Sequence, residues 1–252
     1  AMGLVAMSVG LLLIEFPDMN PIIAILLGMI MGTVMGFVNG LLVVKGKIVA
    51  LIATLATMNI FRGINVFINN IFYEGQYIGA EKLSTEFKSI TRIEILGLPI
   101  MIYYVLLIYI VFYFILHHTK FGRQIYATGS NLDAANTLGI NTSKILIGAY
   151  SLCGLMFGIA GVLYLSLYTS AQTDTGLGFE FITITAVIIG GISVFGGSGI
   201  LWGVLLGTLF MTILTDSLNI LKISPFWKMA INGIMLLSAI LINHYIETRK
   251  KK

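Results

Sequence analysis

Of the 252 residues, 58% are hydrophobic and only 10% carry a charge, where a water-soluble domain carries about a quarter. With a mean hydropathy of +0.97, that balance excludes a soluble globule. The formal charge of +4 does not signal nucleic acid either, because the basic residues sit at the ends of apolar runs, where membrane proteins keep them.

A membrane-crossing helix needs about 20 apolar residues. Residues 1–13 are apolar with no basic lead and no cleavage site, so they read as the tail of a span and not as a signal peptide. Further spans are expected at 21–44, 48–69, 99–117, 145–168, 179–195, 200–219 and 229–246. The 179–195 segment is short and ends in glycine, which marks it as tilted or broken. No ten-residue stretches alternate as barrel strands would. The expected fold class is all-α, a single polytopic bundle over 1–252 with about seven full spans after a partial first one.

Charge orients the spans. One side collects Lys45, Lys47, Lys120, Arg123, Lys144, Arg249, Lys250, Lys251 and Lys252; the other holds Lys82, Lys88, Arg92, Lys222 and Lys228 with most of the acids. The positive-inside rule makes the first side, including the C-terminus, cytoplasmic. The loop 70–98, with Glu74, Glu81, Glu86 and Glu94, faces outward as a solvated loop or a contact for an external protein. Trp202 and Trp227 fall at span ends, where tryptophan belts the interface.

Glycines recur every four residues at Gly28, Gly32, Gly36 and Gly40, and again at Gly199, Gly203 and Gly207. Each set lies on one helix face and lets backbones approach closely, within the chain or against a second subunit. The single cysteine, Cys153, reads as a small buried packing residue.

Between the third and fourth full spans lies a polar, small-residue stretch, Phe121-Gly-Arg-Gln-Ile-Tyr-Ala-Thr-Gly-Ser-Asn-Leu-Asp-Ala-Ala-Asn-Thr-Leu-Gly-Ile140. Its helix-forming block, 133–138, follows a basic patch and ends at glycine, as expected of a docking element for a cytoplasmic partner. Asp133 near a helix start is favoured by the helix dipole, Asn131 or Ser130 can cap it, and Gly139 can end the turn. Ala134 and Ala135 permit close approach of a partner.

Catalytic chemistry is sparse. Gly191–Ser198 copies the glycine spacing of a phosphate-cradling loop, but Gly197 stands where the lysine must be. Any ATPase that drives transport is therefore another polypeptide, and ATP is a cofactor of that partner. His117 and His118 are adjacent and so point to different faces; they and His244 read as interfacial, and no metal set is expected. The ionisable residues inside spans are Arg62, Glu180 and Asp216. They either snorkel to the outer interface or mark the mouth of a path, with Arg62 paired to one of the acids.

The chain resembles the permease subunits of bacterial ABC importers for simple sugars, the ribose/xylose/galactoside type. The resemblance rests on 45–55, Phe61-Arg-Gly63, 122–131 with Ala134-Ala135 and Gly139-Ile140, 176–180 and 190–199. It implies a bacterial plasma-membrane permease that gives a sugar its alternating-access path. The partners it implies are a separate ABC ATPase, a second permease subunit and an external substrate-binding protein; nucleic acid is not among them. Asp133-Ala-Ala135 with Gly139 is similar to the coupling loop of import permeases, with Asp in place of Glu. That likeness assigns ATPase coupling within 118–144 to Gly122, Arg123, Asn131, Asp133, Ala134, Ala135, Gly139 and Ile140. The resemblance also implies a fragment lacking about two N-terminal spans of some 20 residues each. Rhamnose or autoinducer-2 as cargo on the same scaffold, an ion-coupled transporter and an intramembrane enzyme are the competing readings. The last lacks a catalytic constellation, and no residue singles out a particular sugar.

Overall fold

The computed structural model describes residues 1–73, 78–79 and 83–250. Glu74, Glu81, Lys82, Lys251 and Lys252 lie outside the described residues.

The described chain is mostly helical, with one short hairpin. In order come α1 (Met2–Glu15), α2 (Pro21–Val44), α3 (Ala50–Tyr73), α4 (Thr85–Arg92), β1 (Glu94–Ile95), β2 (Leu98–Pro99), α5 (Ile100–His118), α6 (Lys120–Ser130), α7 (Leu132–Thr137), α8 (Thr142–Tyr168), α9 (Phe179–Ile189), α10 (Leu201–Ile220) and α11 (Pro225–Lys250). Local chemistry sets many of these bounds. Pro21 opens α2 where its missing N–H costs nothing, and Asn20 caps it by accepting from Ile22 N at 2.9 Å. Leu96 and Gly97, at φ 52° and 77°, form the left-handed two-residue turn that matches hairpin twist between β1 and β2.

Among the described residues, six helices are long and apolar enough to cross a membrane: α2, α3, α5, α8, α10 and α11. The segment 179–195, expected to be a tilted or broken span, is broken: its helix is the 11-residue α9, only about 16 Å long against a hydrocarbon core of about 30 Å. It stops because Gly190 and Gly191 follow it, with Gly191 in the left-handed conformation at φ 84°.

The chain divides into two compact units, Ala1–Phe114 with Asn141–Thr175, and Ile115–Ile140 with Gly176–Lys252. In the first, α2 and α8 lie against each other with almost no side chain between them. A Cβ at Gly32 or Gly36 would strike the backbone of Tyr150, Gly154 or Gly158, and one at Gly40 would come within 2.9 Å of Ile147 Cα. Such contact replaces the hydrophobic drive that is missing between helices in lipid. Helix α1 packs on this pair, burying Val5, Met7, Val9 and Leu13 with Val162, Leu165, Ile78 and Phe87.

Helix α4 is amphipathic. Ser84 caps it, Phe87 and Thr91 are buried, and Ser166 Oγ of α8 donates to Phe87 O at 2.8 Å while sharing a 3.0 Å hydrogen bond with Thr91 Oγ1. An antiparallel bridge between Ile78 and Ala171 joins the segments that follow α3 and α8. Cys153, expected to be buried, is exposed on α8. The neighbouring Gly154 takes the face toward α2, which turns position 153 outward.

In the second unit α9 packs on α10 and α11. The glycine face of α10 meets α9: Cβ atoms at Gly203 and Gly207 would collide with Gly190 and Ala186. The remaining faces of the crossing helices carry large apolar side chains such as Leu206, Leu209, Ile213 and Leu241, which suits contact with lipid tails.

Candidate functional site

The polar stretch between α5 and α8 folds as two short helices. Thr119 Oγ1 donates to Ile115 O at 2.5 Å and accepts from Gly122 N at 3.1 Å, so one hydroxyl closes α5 and opens α6. At Gly122 a Cβ would run into Ile115 O and Leu116 O; the bend between the two helices is too tight for any side chain there. Arg123 is exposed on α6.

Helix α7 is six residues long, too short to be stable from propensity alone, and it is closed at both ends. Asn131 Oδ1 accepts from Ala134 N at 3.0 Å; Ser130 is the last residue of α6. Asp133 occupies the first turn. At the far end Gly139 takes φ 78°, its N–H donates to Asn136 O at 3.0 Å, and Ile140 N–H donates to Ala135 O at 3.1 Å. This is the Schellman arrangement, which satisfies the last carbonyls of a helix.

Ala135 is buried, whereas Asp133 and Ala134 are exposed. Leu132 and Leu138 are 46% and 79% exposed at the two ends of α7. The result is a rigid knob with apolar ends, a small residue between them and a single carboxylate.

The C-terminal end of α6 meets the loop between α9 and α10 backbone to backbone. A Cβ at Gly129 would lie 2.8 Å from Gly197 N, and one at Gly196 would lie 2.8 Å from Gly129 O. That loop is internally tied, with Ser193 N donating to Ser198 O at 3.0 Å and Phe195 N to Ser193 Oγ at 3.2 Å. Helix α11 reaches it too: Asn243 Nδ2 donates to Ile192 O at 3.3 Å, and the rings of Phe195 and His244 are 6.1 Å apart. Two sequence blocks, 122–131 and 190–199, are thus brought side by side, which their spacing did not show. The loop that copies phosphate-cradle glycine spacing is a seat for α6.

Arg62 is half-buried on α3 in the first unit; Glu180, half-buried at the start of α9, and Asp216, exposed on α10, belong to the second. Among the described residues no group of three His, Cys, Asp or Glu could hold a metal ion. Sequence reasoning passed over Asn65 and Asn69, both only 3% exposed on one face of α3, with Asn65 Nδ2 donating to Thr173 O at 3.3 Å. Their four-residue spacing was a usable signal. It also passed over Gly154 and Gly158, whose spacing repeats that of the α2 glycines they contact.

Among the described residues, six helices of crossing length with closely packed glycine seams define a multi-pass helical membrane protein. The chain belongs to the branched-chain amino acid transport system / permease component family, whose model matches residues 1–240. It is 39% identical to the ribose import permease protein RbsC of Bacillus subtilis over 224 residues, 89% of this chain and 68% of that one. With the L-arabinose transport system permease protein AraH of Escherichia coli it shares 36% identity over 85% of this chain and 63% of that one. The autoinducer 2 import system permease protein LsrC of Escherichia coli is 36% identical over 82% of this chain and 59% of its own length. The chain thus spans roughly two thirds or less of these relatives. No solved structure matches it significantly. The relatives are transport permeases, and this chain is accordingly a membrane transport component and not an enzyme.

Proposed function

We propose that the protein is the path-forming permease subunit of an ATP-driven importer for a simple sugar. An external binding protein delivers the cargo, and a separate ATPase docks on α7. The observation that carries the coupling half of this reading is the construction of α7, capped at one end, Schellman-closed at the other and showing Leu132 and Leu138 to solvent. Two large apolar side chains held rigidly outside the spans fit a groove in a partner protein. The relatives' names, ribose and L-arabinose import, support the sugar.

In this reading the side bearing α6 and α7 faces the cytoplasm, together with the C-terminal part of α11, whose Asn243 reaches the same 190–199 loop. Closure of the ATPases on ATP displaces α7 and rocks the bundle between outward- and inward-open states. A second permease subunit completes the path, with Arg62, Glu180 and Asp216 toward its external mouth.

The test is reconstitution of the full-length permease with its ATPase and binding protein. ATP hydrolysis is measured against pentoses, hexoses, deoxyhexoses, furanosyl signal molecules and branched-chain amino acids. Stimulation by a pentose or hexose is the expected result; stimulation by an amino acid alone would overturn the sugar reading. Ala135→Glu, which places a charge at a buried position of the knob, is expected to separate the ATPase from the permease. Undiminished cargo-stimulated hydrolysis in that variant would overturn the docking reading.

A further inference from the structure

We infer that the contact between Gly129 of α6 and Gly196–Gly197 is the joint through which displacement of the α6–α7 knob reaches α9 and α10. The inference rests on the reading that α7 is the ATPase-docking helix, and adds to it the positioning residues on the other side.

The knob has to push on something. It follows the end of α5, and within its own unit it meets the α9–α10 loop at Gly129 and Ser130, main chain against main chain. Side-chain contacts can slide or change rotamer and so absorb a displacement. A backbone-to-backbone seat cannot, because close-packed main chain has no compliant part.

The loop is built to stay rigid. Gly196 and Gly197 are held at φ 89° and 74°, Ser193 and Ser198 tie its ends, and Asn243 of α11 holds Ile192 O. One side of the loop continues into α9 through Gly190–Gly191, and the other into α10, whose Gly203 and Gly207 lie directly on α9. Motion delivered at Gly197 is therefore carried by α9 and α10 as one body.

Glycine is required here for two separable reasons, and a control exists for each. Gly197 has both a left-handed backbone and an occupied Cβ position, against Ser130. Gly191, in the same loop at φ 84°, has the left-handed backbone but nothing within 4 Å of its Cβ. Gly129 is helical, so substitution there adds no backbone strain, yet its Cβ would lie 2.8 Å from Gly197 N. Asparagine tolerates the left-handed region better than other side chains, so Gly191→Asn isolates loop strain from loss of the seat.

The experiment uses the full-length permease with its ATPase in proteoliposomes, carrying Cys153→Ser and a spin label at Ile220→Cys. That position is 80% exposed at the end of α10. Addition of ATP with vanadate is expected to change the label's spectrum in the parent protein and in Gly191→Asn. In Gly129→Ala and Gly197→Asn the ATPase still copurifies, but the spectral change falls about fivefold or more, the low end of ordinary coupling strengths. Gly129→Ala keeps the comparison valid if Gly197→Asn fails to fold, since alanine favours helix.

An unchanged response in Gly129→Ala overturns the inference, as does equal loss in Gly191→Asn. An unresponsive parent protein or loss of ATPase copurification in Gly129→Ala also overturns it, the latter because the seat would then serve docking alone. Ala135→Glu reports separately on the underlying reading: if the ATPase copurifies with that variant, docking on α7 fails whatever the joint does.

Discussion

The α2–α8 seam makes a quantitative prediction at Gly32. Replacing it by alanine puts a Cβ against Gly154 O and 2.7–2.8 Å from Gly158 N and Cα, where ordinary contact begins at 3.4 Å. All three neighbours are backbone, so no rotamer change relieves the clash, and the helices have to part by more than the roughly 0.6 Å that the Gly158 contacts alone require. A radial gap of that size forfeits about a quarter to a half of each contact's dispersion energy. The cost is shared along the seam at Gly28, Gly36 and Gly40. Overpacking of this kind costs about 1–3 kcal/mol, less about 1 kcal/mol regained from alanine's helix propensity.

The net loss of up to about 2 kcal/mol corresponds to a melting point lowered by up to roughly 4–8 °C for a chain of this size. Scanning calorimetry of the detergent-solubilised permease measures it. Gly63→Ala is the matched comparison, because nothing lies within 4 Å of its Cβ on α3; it is expected to melt at or slightly above the parent temperature. A Gly32→Ala protein as stable as Gly63→Ala would refute the argument that the seam depends on backbone contact.

Three further outcomes follow from single contacts. Asn131→Ala removes the cap on Ala134 N at about 1 kcal/mol. Because α7 has only six residues, hydrogen exchange at 132–137 should rise several-fold, about fivefold by that energy, while exchange in α8 stays unchanged. Ser166→Ala leaves Thr91 Oγ1 without its buried partner, costing about 1–3 kcal/mol; limited proteolysis within 85–92 is expected to accelerate, and equal rates would count against α4 being held by α8. Arg62→Ala, with Glu180→Ala or Asp216→Ala as partner variants, is expected to slow sugar uptake while ATPase copurification is retained; normal uptake in all three would remove them from the path.

Much of the fold is legible in the sequence because lipid imposes a length and composition rule on each crossing helix independently. The expected 21–44 is α2, and 99–117 is α5 within a residue. Hydropathy alone overruns at 179–195, continuing past Gly190 and Gly191 where the helix does not, and it is the glycines that mark the break. Helix α6 was not foreseen as a helix, since Gly122 and Gly129 lower its propensity; it forms because Thr119 caps it and its end sits on the 190–199 loop. The cap and closure of α7 were readable because they depend on residues within a few positions of one another.

The sequence by itself determined what local chemistry determines: which segments are apolar enough to cross, where α7 starts and stops, and that a phosphate-binding lysine is missing from Gly191–Ser198. It could mark glycine faces but not their partners. That Gly32 meets Gly154 and Gly158, that Ser166 holds α4, and that Gly129 meets Gly196 and Gly197 were decided only in three dimensions. The reason is physical. Helix propensity, caps and hydropathy act over a few residues, whereas a seat between two glycine backbones leaves no side-chain pattern that names its partner.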